Sequence, residues 1–129
     1  GDENPDEFIY DPAHPVQTAG GNNCCSPHIV PWGPHDQRAV EMRGDVLIYT
    51  SPPMPEDTEV TGPIEVVLYA ATDGPDTDFT AKLVDVSPGG YAMNLCDGIR
   101  RGRYLESRAY RIIPSLRFQS YPGHGPNRW

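Results

Sequence analysis

Three aspartates within six positions, Asp73, Asp76 and Asp78, are the residues of this chain whose type and spacing most directly suggest a ligand. Carboxylates are hard oxygen donors suited to Ca2+, although the loop length and terminal Glu of an EF-hand are missing. Aspartates in such loops also cap turns by accepting backbone N–H groups, so the cluster has a structural reading beside the calcium one. The four histidines offer less chemistry. His14, His28 and His35 lie in a Pro- and Gly-rich arm and His124 near the end of the chain, whereas a general base needs a nucleophile and an orienting acid within hydrogen-bond reach. His35 and Asp36 are adjacent, but neighbouring side chains of an extended segment point apart, and the pair reads as a solvent-exposed turn.

Cys24 and Cys25 are either a vicinal disulfide or half of a metal site, or else two thiols facing opposite ways. No second Cys or His pair stands at metal-ligand spacing, and three cysteines do not make a disulfide framework. Cys96 reads as a small buried residue of a strand. Trp32, Tyr69 and Tyr91 have the rings to stack on a sugar, while the alternation around the two tyrosines suits the core. No cofactor-binding motif is present.

The elements that must position these residues are strands. Ile64, Val66, Leu68 and Ala70 recur at period two, with Glu65, Val67, Tyr69 and Ala71 between them, which predicts a strand buried from both sides. After the turn Asp73-Gly74-Pro75-Asp76, Phe79, Ala81 and Leu83 alternate with Thr80, Lys82 and Val84, the pattern of a half-solvated antiparallel strand. That run should meet Tyr91 to Cys96 through Ser87-Pro88-Gly89-Gly90, a loop suited to a hairpin. A further strand is expected from Asp45 to Ser51, stopped by Pro52-Pro53. Residues 1–44 read as an irregular arm with turns at Pro12, Gly20-Gly21 and Pro34. Its Phe8, Tyr10, Ile29, Val30 and Trp32 either face a partner domain or cover one edge of a sandwich. Short strands rich in β-branched and aromatic residues, separated by breakers, predict an all-β sandwich.

The run EVTGPIEVVLYAATDGPDTDFTAKLVDV and the later Ala92-Met93-Asn94-Leu95-Cys96-Asp97-Gly98-Ile99 resemble the C-terminal, non-catalytic domain of the CocE/NonD hydrolase and Xaa-Pro dipeptidyl-peptidase family. Phe8-Ile9-Tyr10-Asp11-Pro12, Gly20-Gly21-Asn22-Asn23-Cys24-Cys25, Asp36-Gln37-Arg38 and Asp45-Val46-Leu47-Ile48-Tyr49-Thr50-Ser51 are similar to it as well, so the likeness covers Asp2 to about Tyr104 and stops beyond Glu106. The resemblance implies a jelly roll of the galactose-binding-domain-like type, incomplete at its C-terminus. On that reading, residues 1–44 are a linker packed on a catalytic domain, 45–107 the sandwich core, and 108–129 a divergent tail of frameshifted or otherwise altered origin. It also implies a Ser-His-Asp hydrolase with its nucleophile in a G-x-S-x-G elbow. Ser26, Ser51, Ser87, Ser107, Ser115 and Ser120 all lack that frame, so no catalytic residue carries over.

At 129 residues the chain is one domain at most and short for a whole hydrolase. Its net charge of -8 argues against nucleic-acid binding, and no apolar run is long enough to span a membrane. Acidic charge and unpaired-looking thiols lean towards the cytoplasm. The leading expectation is an accessory domain, inactive alone, whose partner is an α/β-hydrolase domain and whose exposed sheet edges could support homo-oligomers. The alternative is a free-standing β-sandwich binding module for a glycan or Ca2+, and a gene fragment without function is a third reading.

Overall fold

The computed structural model describes residues 4–23, 26, 28–104 and 110–112. The domain is all-β, with one short α-helix among the described residues. The order is α1 (Arg38–Glu41), β1 (Val66–Leu68), β2 (Asp78–Val86), β3 (Ala92–Arg101), a single 3-10 turn (Gly102–Tyr104) and β4 (Tyr110–Ile112). The strands form two two-stranded sheets, β1 with β4 and β2 with β3. Two compact units divide the chain without following its order. The chain up to Thr50 joins Lys82–Cys96 in one, and Ser51–Ala81 joins the chain from Asp97 in the other.

The β2–β3 hairpin forms where the alternation and the Gly-bearing loop place it, and β3 runs five residues past Cys96. Its turn is closed by Ser87 N–H donating to Tyr91 O at 2.9 Å and Gly90 N–H donating to Ser87 O at 2.8 Å. Ser87 Oγ accepts from Tyr91 N–H at 3.1 Å, the local side-chain-to-backbone bond that suits a serine to a turn. Gly90 sits at φ +80°, where a Cβ would be strained. Phe79, Ala81 and Leu83 are half-buried, and Thr80 between the first two is exposed.

Two strand expectations need correction. Ile64 is 3% exposed, whereas Glu65, Val67 and Tyr69 are exposed, Tyr69 to 82%. The run is therefore more buried on the Ile64, Val66, Leu68 face than on the other. Only Val66–Leu68 is a strand, and it pairs antiparallel with β4 in the register Val66 to Ile112, Val67 to Arg111 and Leu68 to Tyr110. That pairing draws residues 110–112 of the expected tail into a sheet. Asp45 to Ser51 forms no strand. Its alternation is real, but pairing with a neighbour is what makes an extended segment a strand, and this one has no ladder among the described residues.

The arm contains α1, which the lack of periodicity did not suggest. Asp36 Oδ1 accepts from Arg38 N–H at 3.2 Å, and Gln37 O accepts from both Val40 and Glu41 N–H. The acceptor at the start supplies one of the orphan N–H groups of a helix end with a partner. The turn at Pro12 is present, with His14 N–H donating to Asp11 O at 3.0 Å. Gly20 and Gly21 take φ values of +67° and +95°, and Gly21 pairs with Gly33 through two bonds of 2.8 and 3.0 Å. Among the described residues the buried hydrophobic side chains are Ile64 and Ala92 alone, against sixteen large hydrophobic side chains that are exposed.

Candidate functional site

Residues 6–14 lie antiparallel to residues 43–49, fixed at both ends by side chains. Tyr49 Oη donates to Asp6 Oδ2 at 2.8 Å, and Arg43 Nη2 donates to His14 O at 2.7 Å while its Nε and Nη2 grip Asp45. Between those ties run Phe8-Ile9-Tyr10 and Leu47-Ile48-Tyr49. Phe8 is 46% exposed, Ile9 89%, Tyr10 52%, Ile48 53% and Tyr49 73%. Together these two exposed apolar runs, an apolar strip flanked in the same two segments by Asp6, Asp11, Arg43 and Asp45, have the composition of an interaction surface. Phe8 and Tyr10 are among the arm residues expected either to face a partner domain or to cover a sandwich edge, and both are exposed. Ile9 of the same arm is exposed as well, and Leu47, Ile48 and Tyr49 join them because the segment expected to be a strand lies open instead.

The aspartates do not gather round an ion. Asp76 accepts from Arg103 Nε and from the Arg103 backbone N–H, and Asp78 accepts from Arg101 Nε at 2.8 Å and Nη2 at 3.0 Å. The hydrogen bonds from these guanidinium groups hold both carboxyls below the usual carboxylate range. Asp73 is exposed in the preceding turn, where Gly74 N–H donates to Thr72 Oγ1. Among the described residues no group of three or more His, Cys, Asp or Glu is placed to hold a metal. Asp36 is likewise taken by Arg38, whose forked hydrogen bonds pull its pKa down to about 2, so its carboxylate serves a guanidinium and not the His35 imidazole. His14 Nδ1 lies 2.7 Å from Asp11 Oδ2 in an exposed turn, and His28 is exposed. Tyr69, Tyr91 and Trp32 are exposed to 82%, 42% and 50%, so the tyrosines are not core residues. Cys24, Cys25 and His124 lie outside the described residues.

The buried polar centre was not anticipated. Gln37 and Asn94 are 1% and 2% exposed and 57 residues apart. Gln37 N–H donates to Ala92 O at 2.7 Å and Asn94 N–H to His35 O at 3.3 Å, so residues 35–37 lie along the edge of β3, with Asp36 opposite Met93. Asn94 Oδ1 accepts from His35 N–H at 2.7 Å. Gln37 Nε2 faces three acceptors, Ala19 O at 2.8 Å, His35 O at 2.9 Å and Asn94 Oδ1 at 3.2 Å, and these fix the orientation of the carboxamide. Gln37 Oε1 is buried without a hydrogen-bond partner among the described residues. The available signal was an Asn on the face of β3 that it shares with Ala92, since a polar side chain there needs a partner.

The family model for the X-Pro dipeptidyl-peptidase C-terminal non-catalytic domain matches residues 8–112. The chain belongs to that family. Cocaine esterase of Rhodococcus sp. (strain MB1 Bresler) is 47% identical over 107 residues, 83% of this chain. The match spans 18% of that relative's length, so the chain corresponds to a small part of a larger hydrolase. No solved structure matches the chain. The match to the X-Pro dipeptidyl-peptidase C-terminal domain begins at Phe8 and ends at Ile112, the last residue of β4, so the likeness does not stop at Glu106 as expected but reaches six positions further. Its described serines have structural partners. Ser26 O accepts from Ile29 and Val30 N–H, Ser51 Oγ donates to Pro52 O, and Ser87 caps the hairpin turn. Ser107, Ser115 and Ser120 lie outside the described residues. No helix among the described residues is long and apolar enough to cross a membrane.

Proposed function

We propose that this chain is the accessory β-domain of a serine hydrolase of the CocE/NonD and Xaa-Pro dipeptidyl-peptidase type, docked through its apolar strip on an α/β-hydrolase domain. The observation that carries the reading is the strip itself: Ile9, Ile48 and Tyr49 stand more than half exposed, yet the backbone beneath them is tied down by Arg43 and Tyr49. Exposed apolar side chains on a fixed backbone can bury against a partner with the cost of ordering the side chains but little cost of ordering the backbone. Acyl transfer from an ester or Xaa-Pro peptide to water belongs to the partner domain, which carries the nucleophile, base and acid. The β-domain contributes by holding loops of that domain in place, where small displacements are costly in rate. A jelly-roll closure of the strands and a cytoplasmic setting belong to the same proposal.

The isolated chain is expected to show no turnover of a chromogenic acyl ester above buffer. Steady hydrolysis abolished by a serine-directed organophosphate would place a nucleophile in the chain and sink the accessory reading.

A further inference from the structure

We propose that Gln37 fastens a two-state strap: residues 19–21 and 33–37 are held on the edge of β3 as one unit and released as one unit when the Gln37 Nε2 hydrogens are lost. Residues 35–37 touch β3 directly, through Gln37 N–H to Ala92 O and Asn94 N–H to His35 O. Residues 19–21 ride on 33–37 instead, through the Gly21 and Gly33 pair. Gln37 Nε2 is the group common to both layers, since its acceptors are Ala19 O in the outer one, His35 O in the inner one and Asn94 Oδ1 on the strand. The layers are in close contact as well. A Cβ added at Gly20 would run into Gly33 O and come within 2.8 Å of His35 Cβ.

The carboxamide acts in one sense only. Its Oε1 is buried without a donor among the described residues, where the side chain contributes hydrogen bonds as a donor and none as an acceptor. A methionine would fill the same length without leaving an unmatched oxygen, which separates fastening from packing. The strap has two arrangements, one with the donors engaged and one with the arm free of the hairpin; the hairpin's turn bonds involve Ser87, Gly90 and Tyr91 and none of the strap residues, so they are expected to persist in both.

Hydrogen exchange on the full chain tests this. In Gln37→Met the amides of Gly21, Gly33, Gln37 and Asn94 are expected to exchange at least about tenfold faster and by one common factor, while those of Ser87 and Gly90 keep their rates. Unchanged Gly21 and Gly33 amides would overturn the strap. Equal acceleration at Ser87 and Gly90 would overturn it too, by making Gln37 a general core residue. Gln37→Glu supplies an independent check. Its carboxylate has no hydrogen to donate, so the strap is expected open at neutral pH. The protonated carboxyl donates one bond, so protection at Gly21 and Gly33 should return in part at acid pH after correction for intrinsic exchange. Protection that ignores pH in this variant contradicts the proposal.

Discussion

Asn94 accepts from two donors with one oxygen, and removing that oxygen takes the side-chain acceptor from His35 N–H in a part-buried site beside the buried Gln37. An unsatisfied buried donor costs about 1–3 kcal/mol, so Asn94→Ala is expected to lower the unfolding free energy by that amount in urea titrations. The carboxylates act in the opposite sense from the buried amides, since Asp36, Asp76 and Asp78 are bound as anions by exposed guanidinium groups. Their folded pKa values lie below the ordinary 3.8, that of Asp36 at about 2. A depressed carboxyl contributes stability above its unfolded pKa and loses it as pH falls through the folded one. The urea midpoint should therefore fall between about pH 4 and about pH 2, and Arg101→Gln should fall less steeply because Asp78 has lost its partner. Parallel curves for the two proteins would show that the Asp78–Arg101 pair has no part in acid unfolding.

At the scale of elements, the β2–β3 hairpin is the part most dependent on local chemistry. Gly90 occupies a left-handed conformation with open space around the site of a Cβ, so Gly90→Ala should cost about 1 kcal/mol from backbone strain alone. The hairpin was legible in the sequence because alternation and turn residues are both local signals, and Ser87 to Gly90 provides the loop, the cap and the positive φ within four positions. The Ile64 to Ala71 run was legible as extended but not as one-sided. Sequence periodicity reports which side chains share a face, while burial of that face depends on what else packs there. Asp45 to Ser51 shows the same limit, having strand alternation and no ladder among the described residues. The Gln37 and Asn94 centre was hidden for a different reason. Its partners are far apart in the chain, and an amide that bonds across such a separation leaves no mark on either local pattern. The acidic loop misled in the direction of a ligand because the arginines that occupy Asp76 and Asp78 lie more than twenty residues downstream.

For the molecule as a whole, the imbalance between one buried and sixteen exposed large hydrophobic side chains among the described residues is what a docking domain should show. The family match and the small share of the Rhodococcus esterase that the chain spans agree with a domain evolved beside others. If the strip is an interface, substitution there should alter association and leave the fold alone. Ile9 is 89% exposed, so Ile9→Asp is expected to change unfolding stability by no more than about 0.5 kcal/mol. The most direct measurement is sedimentation of the labelled chain titrated with the Rhodococcus cocaine esterase from which the matching segment has been deleted. A one-to-one complex that Ile9→Asp and Ile48→Asp each weaken by at least about tenfold, or about 1.4 kcal/mol, is the predicted result. A chain that stays unbound, or binds equally well with either substitution, would contradict the apolar strip as the docking surface.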